Sequence, residues 1–236
     1  MNLSRFLFCI LLSSLPAAAA GQLTGFPFQN ETLRYAIKWP SGISMGEATI
    51  SAVQAENNGW RFEMSYTAGV PGFPFADTFR SLATSELCTT ELNRSIAHGA
   101  KKVTEKTTFD QQRRLAERRT LNPEGGGKSE FDIPACAQDA LAYQFLARRE
   151  MGQGRVPPAE KVFFGGGYDV RFQYTGAMDV TVGGKTETTD HVNVFIKGPA
   201  SDVTVEVFYA RDAARTPVLF KVPVSLGTIS LELVRR

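Results

Sequence analysis

Along most of the chain, apolar and polar residues alternate one by one, the period of a strand with one face on a core and the other in water. In "LRYAIKW", Leu33, Tyr35, Ile37 and Trp39 fall on one side and Arg34, Ala36 and Lys38 on the other. "GEATISAVQAENNGWRFEMSYTAG" reads as a hairpin. Its Asn57-Asn58-Gly59 accepts the positive φ of a tight turn. Beyond it Trp60, Phe62, Met64 and Tyr66 alternate with Arg61, Glu63, Ser65 and Thr67. "VPGFPF" is expected as a loop carrying Phe73 and Phe75, after which "DTFRSLATSEL" resumes a strand. "HGAKKVTEKTTF" and "RRLAERRTL" read as strands flanking a turn at Asp110-Gln111-Gln112, and "NPEGGGK" as a loop. The second half continues with "KVFF", "YDVRFQYT", "MDVTV", "DHVNVFIKG", "VTVEVFYA", "PVLFKVPV" and "GTISLELV".

One stretch breaks this period. In "PACAQDALAYQFLARRE", residues 134–150, Leu141, Ala142, Phe145 and Leu146 recur at helical spacing. Asp139 suits a cap or the first turn, and Arg148 and Arg149 suit the last turn, where the macrodipole favours cations. Gly152 and Gly154 end the helix and Pro157-Pro158 prevent its return. The connections between strands are mostly short, which favours an antiparallel meander because parallel strands need long crossovers. So many strands in one sheet curl or close, and the hollow they form must be covered. The predicted fold is therefore mainly β: a large curved antiparallel sheet, an open or half-closed barrel, with one helix packed on its concave side and the helix arginines at the rim.

Composition adds a compartment. Arg5 followed by "FLFCILLSSL" and the small residues of "PAAAA" has the layout of a secretory signal, with Ala18 and Ala20 placed for cleavage after Ala20. Residues 1–20 are read as that signal and 21–236 as a single β-rich periplasmic domain. Loss of Arg5 leaves 25 basic against 24 acidic residues, close to neutral and unlike a nucleic-acid-binding chain. Cys88 and Cys136 are the cysteines beyond the signal. An even count in an oxidising compartment favours a bridge over two separate thiols, and Cys136 at the helix entrance would then pin the helix to the strand end at Cys88.

Several stretches together resemble a bacterial exported family catalogued as domain of unknown function 3108. They are "LRYAIKWPSGISMGEATI" with Gly46, "KTTFD", the Asp-initiated "DALAYQFLARRE", and the closing "VEVFYARDAARTPVLFKVPVSLGTISLELV" with Asp212, Arg215-Thr216-Pro217 and Gly227. Where relatives often carry a tryptophan before the last turn, this chain has Phe208-Tyr209. The resemblance implies a periplasmic protein of Gram-negative type and carries over no catalytic residue. At the level of fold, a curved sheet with a helix inside is similar to periplasmic carriers of lipoproteins and lipids.

Candidate chemistry is sparse. The histidines are His98 and His191, and no G-x-S-x-G elbow is present. Asp190-His191 beside a strand is the one arrangement that suggests a base, with a polar strand edge as the alternative. The histidines and cysteines lack ligand spacing, so neither a metal nor a cofactor is expected. "EGGGKSE" imitates a phosphate loop, but Asn122 stands where the first glycine of that motif belongs. Two surfaces remain. Aromatics on alternating strands and on the helix, Trp39, Trp60, Phe62, Tyr66 and Phe145, are expected on the concave face, where they would contact an apolar or amphiphilic ligand. Between Lys101 and Arg119, seven basic residues stand against Glu105, Asp110 and Glu117. Lys102, Lys106, Arg114 and Arg118 are expected to form an anionic-surface patch for a membrane surface or an acidic envelope protein, with a solvated strand face as the alternative. The expected function is non-enzymatic binding of a lipid-like ligand; the alternative is an envelope assembly factor with a solid core.

Overall fold

The computed structural model describes residues 30–70, 73–199, 201–225 and 227–235. The signal segment read from residues 1–20 lies outside them. The strands are β1 Glu31–Lys38, β2 Ser44–Gln54, β3 Trp60–Val70, β4 Phe73–Ala83, β5 Thr89–His98, β6 Lys101–Asp110, β7 Leu115–Asn122, β8 Lys128–Asp132, β9 Gln138–Asp139, β10 Glu160–Phe163, β11 Gly167–Val182, β12 Lys185–Gly198, β13 Ser201–Ala210, β14 Pro217–Val224 and β15 Gly227–Leu233, with helix α1 at Ala140–Gly152. They form one fifteen-stranded sheet in the order β8-β7-β6-β5-β4-β3-β2-β1-β15-β14-β13-β12-β11-β10-β9. Two meanders are thus joined where β1 pairs antiparallel with β15, Tyr35 opposite Leu233. Among the described strands only β9 and β10 pair in parallel.

The turns follow their chemistry. Asn57 and Asn58 adopt φ of 54° and 58° between β2 and β3. The "VPGFPF" stretch, expected as a loop, is largely strand: β3 runs to Val70 and β4 begins at Phe73. "YDVRFQYT" and "MDVTV" form a single strand, β11, whose register shifts between Tyr174 and Gly176. Gly46 answers a close approach between strands: a Cβ there would sit 2.0 Å from the Thr67 carbonyl oxygen on β3.

The sheet does not close through hydrogen bonds. Its β9–β10 edge instead tucks against the inner face of β5–β8, where Phe163 packs with Leu92, Phe109 and Ala116. The turn after β10 is held there by arginines on the same inner face. Arg118 donates to the Gly165 carbonyl, and Arg94 stacks on Phe164 and crowds Gly165 so closely that a Cβ would meet its Nη1 at 1.6 Å. Gly165 has φ +75°, a backbone conformation that favours glycine, while the flexible tip of Arg94 can give way.

Helix α1 lies across one end of the barrel, clamped at both termini. Asp139 caps it, accepting from Leu141 N at 2.7 Å and Ala142 N at 3.0 Å. The same carboxylate accepts from Ser81 and Thr89 on β4 and β5. Burial pushes the Asp139 carboxyl above its usual range, against the hydrogen bonds from Ser81, Ala142, Thr89 and Leu141. At the far end Arg148 does not reach the rim as expected. Its guanidinium is fully buried, donating to both Glu31 oxygens at 2.6 and 2.8 Å and to the Ala214 carbonyl at 3.0 Å. Thirteen helical residues span about 20 Å, enough to bridge the barrel from β4–β5 to β1. The Cys88–Cys136 disulfide, with Cα atoms 4.5 Å apart, ties the segment entering the helix to the β4–β5 connection.

Candidate functional site

The helix divides the interior in two. At its own end the space is filled. Phe145 is fully buried and stacks on Phe62 at 4.3 Å, and Phe62 stacks in turn on Trp60 at 6.1 Å. Three of the five aromatics expected to contact a ligand are therefore packed against one another, leaving them no face toward one. Tyr66, further along β3, and Trp39, just beyond β1, are half-buried at the opposite end.

Strands β3, β5, β12, β13 and β15 show the same gradient. Inward positions are buried near the helix and become half-buried toward the other end. On β3 Trp60 and Phe62 are buried, whereas Met64, Tyr66 and Ala68 are half-exposed. Leu92 gives way to Arg94, Ile96 and His98 on β5, Val194 to Ile196 on β12, Val207 to Val205 on β13, and Leu233 to Leu231 and Ile229 on β15. Cross-strand pairing keeps these residues on one face: Met64 opposite Phe79, Val205 opposite Val194. The result is a cup with a packed floor and a partly solvated, mostly apolar wall.

One wall of the cup carries a polar cluster. Asp77 on β4 is 3 % exposed. Its carboxylate accepts from the Tyr66 hydroxyl, from His98 Nε2 at 2.9 Å and from Ala97 N at 3.1 Å. Burial, and then the bond to Asp77, push the Tyr66 hydroxyl above its ordinary range and keep it a donor. The edge of Phe75 meets the His98 ring at 4.9 Å. Sequence reasoning did not join these residues. The available signal was an aspartate at an inward place in the alternation Phe75, Asp77, Phe79.

The basic hairpin is rearranged. Its turn is Gln111–Arg114, one residue longer than expected, so Arg114 sits in the turn at φ 54° and shares no strand face with Arg118. Phe109 opposes Ala116 and Thr107 opposes Arg118, which turns Arg118 inward to the seam. Lys102 and Lys106 lie on the other face, where Lys106 pairs with Glu91 at 2.7 Å. Glu117 on that face is bound by Lys128 at 2.7 Å and by Arg119. The four residues expected as one patch are thus divided between two faces and a turn.

Asp190 and His191 also part company, as neighbours on a strand must. Asp190 binds Arg215 at 2.5 Å and Arg211 at 3.0 Å, beside a cavity of about 200 Å³ lined by Met151, Val156, Phe172 and Val192. His191 stacks on Phe208 at 4.4 Å, with Thr175 at 2.7 Å from Nδ1 and Glu206 at 2.9 Å from Nε2.

This architecture is similar to that of a solved structure described as a beta-barrel-like protein of domain of unknown function DUF1849 from Brucella abortus. The match has a TM-score of 0.62 and 7 % identity, covering 86 % of this chain and 95 % of that one. At such identity the likeness is one of fold. No curated protein matches the sequence. A family model matches residues 34–234, from β1 through the end of β15, and the chain belongs to the family described as "Protein of unknown function (DUF3108)".

Proposed function

We propose that the protein is an exported, non-enzymatic binding protein of the cell envelope that takes the apolar chain of a lipid-like amphiphile into the open half of its barrel. The observation that carries this reading is the burial gradient on β3, β5, β12, β13 and β15, which leaves inward apolar side chains half-solvated opposite a packed floor. Apolar surface held concave and wet gains free energy when a ligand replaces the water, about 25 cal/mol for each Å² covered. The disulfide agrees with an oxidising compartment. An assembly factor with a solid core would fit the filled half alone; the half-exposed Met64, Leu231 and Ile229 favour the binding reading.

The test is titration with N-phenyl-1-naphthylamine, an uncharged probe that fluoresces in apolar surroundings. Saturable 1:1 binding is expected, weakened about tenfold or more by Ile229→Arg in the cup wall and unchanged by Arg61→Ala on the outer face. Absence of saturable binding, or equal binding by the Ile229 variant, refutes the reading.

A further inference from the structure

We propose that His98 and Lys101 form the head-group site of the cup and select an amphiphile with an anionic head. The inference rests on the cup reading and adds the chemistry of its ligand. The cup is asymmetric. From β12 round to β15 its half-buried inward positions are apolar: Ile196, Val205, Val203, Val222, Ile229 and Leu231. The inward polar groups gather on β3–β6, as Tyr66, Asp77, Arg94, His98, Lys101 and Glu105. A chain laid along the apolar wall therefore presents its polar end to one side.

The charges on that side are nearly all spoken for. Arg94 is bound to Glu105 at 2.9 Å. Asp77 is buried and satisfied by Tyr66, Ala97 and His98. Because the Asp77 carboxylate only accepts, the His98 nitrogen facing it is Nε2–H. Asp77 thereby holds the imidazole in one orientation, as a second-layer carboxylate orients a histidine elsewhere. The His98 side chain is 35 % exposed, with Nδ1 as its other ring nitrogen. Directly across the ladder stands Lys101, exposed and on the same inward face. An anionic oxygen beside them meets the Lys101 ammonium in a charge-assisted bond, while the Nε2–H of His98 stays engaged with the Asp77 carboxylate. A cationic head would meet Lys101 instead and be repelled.

The experiment uses the full chain and three ten-carbon amphiphiles that differ only in the head, each displacing N-phenyl-1-naphthylamine: decanoate, decanol and decyltrimethylammonium. Decanoate is expected to bind at least about tenfold more tightly than decyltrimethylammonium. Lys101→Glu, at an exposed position that leaves the fold intact, and His98→Ala are each expected to weaken decanoate about tenfold and decanol less than about twofold. Equal binding of the anionic and cationic amphiphiles, or variants that weaken all three ligands alike, overturns the head-group site while leaving the cup. Failure of all three to displace the probe overturns the cup itself and the site with it.

Discussion

Replacing Phe145 by alanine tests whether the helix plugs the barrel. The side chain is fully buried, stacked on Phe62 at 4.3 Å with planes 12° apart, and covered on another side by the Arg148 guanidinium at 5.1 Å. Truncating so enclosed a phenylalanine costs about 3–5 kcal/mol, the transfer free energy of the ring plus the cavity it leaves. The frame around it, clamped by Asp139, Arg148 and the disulfide, resists collapse, which places the expected loss in the upper part of that range. The ring pair itself should appear as a coupling of about 0.5–1.5 kcal/mol in a double-mutant cycle with Phe62→Ala. Urea unfolding with the disulfide intact, followed by far-ultraviolet circular dichroism and by the fluorescence of Trp60 beside the stack, gives both numbers. Arg149→Ala, half-exposed on the same helix, is the control and should change stability by less than about 0.5 kcal/mol. A loss below about 1 kcal/mol for Phe145→Ala, without coupling to Phe62, would mean that the helix is a surface appendage and that the interior is not divided as described.

Three further outcomes follow from single contacts. Glu31→Ala strips the buried Arg148 of its carboxylate partner and should cost about 3–5 kcal/mol in urea unfolding. Gly46→Ala forces a Cβ toward the Thr67 carbonyl and should cost about 1–3 kcal/mol, with the loss visible as early melting in a thermal scan. Asp139 is held above its unfolded carboxyl range by burial, so its protonated form favours the folded state. That contribution is fully present below the unfolded value, near pH 4, and is lost as pH rises through the higher folded one. Wild type should therefore gain stability relative to Asp139→Asn as pH falls through this window, and parallel stability–pH curves would contradict the assignment.

Strand and helix were legible because their periods differ. Tyr35 and Ile37, or Trp60 and Phe62, point inward as the alternation said they would, and Asp139 begins the helix. The cysteine pairing was legible from the even number beyond the expected signal segment. What could not be read was anything that depends on register. A hairpin turn at Gln111–Arg114 in place of Asp110–Gln112 decides which of Arg118 and Arg119 faces inward, since a shift of one residue reverses every side chain on a strand. In "LAERRTL" Leu115 and Leu121 share the face opposite Ala116, so the alternation points to the wrong side. Arg148 looked like a solvated cation at a helix end because its partner, Glu31, lies 117 residues away. The Asp77–His98 cluster was hidden for a related reason: Asp77 faces Tyr66 across one ladder and reaches His98 across the next. The division of the cup escaped notice too. Alternation marks Trp60 and Tyr66 alike as inward and says nothing of how far along the barrel the helix lies.

Native mass spectrometry of the protein purified without detergent shows whether the interior, half filled by protein, is half open to a ligand's chain. A 1:1 adduct of lipid-like mass, or its formation when decanoate is added, is expected, as is its loss in Ile229→Arg with the fold retained. Bare protein alone under both conditions would contradict that half-open interior.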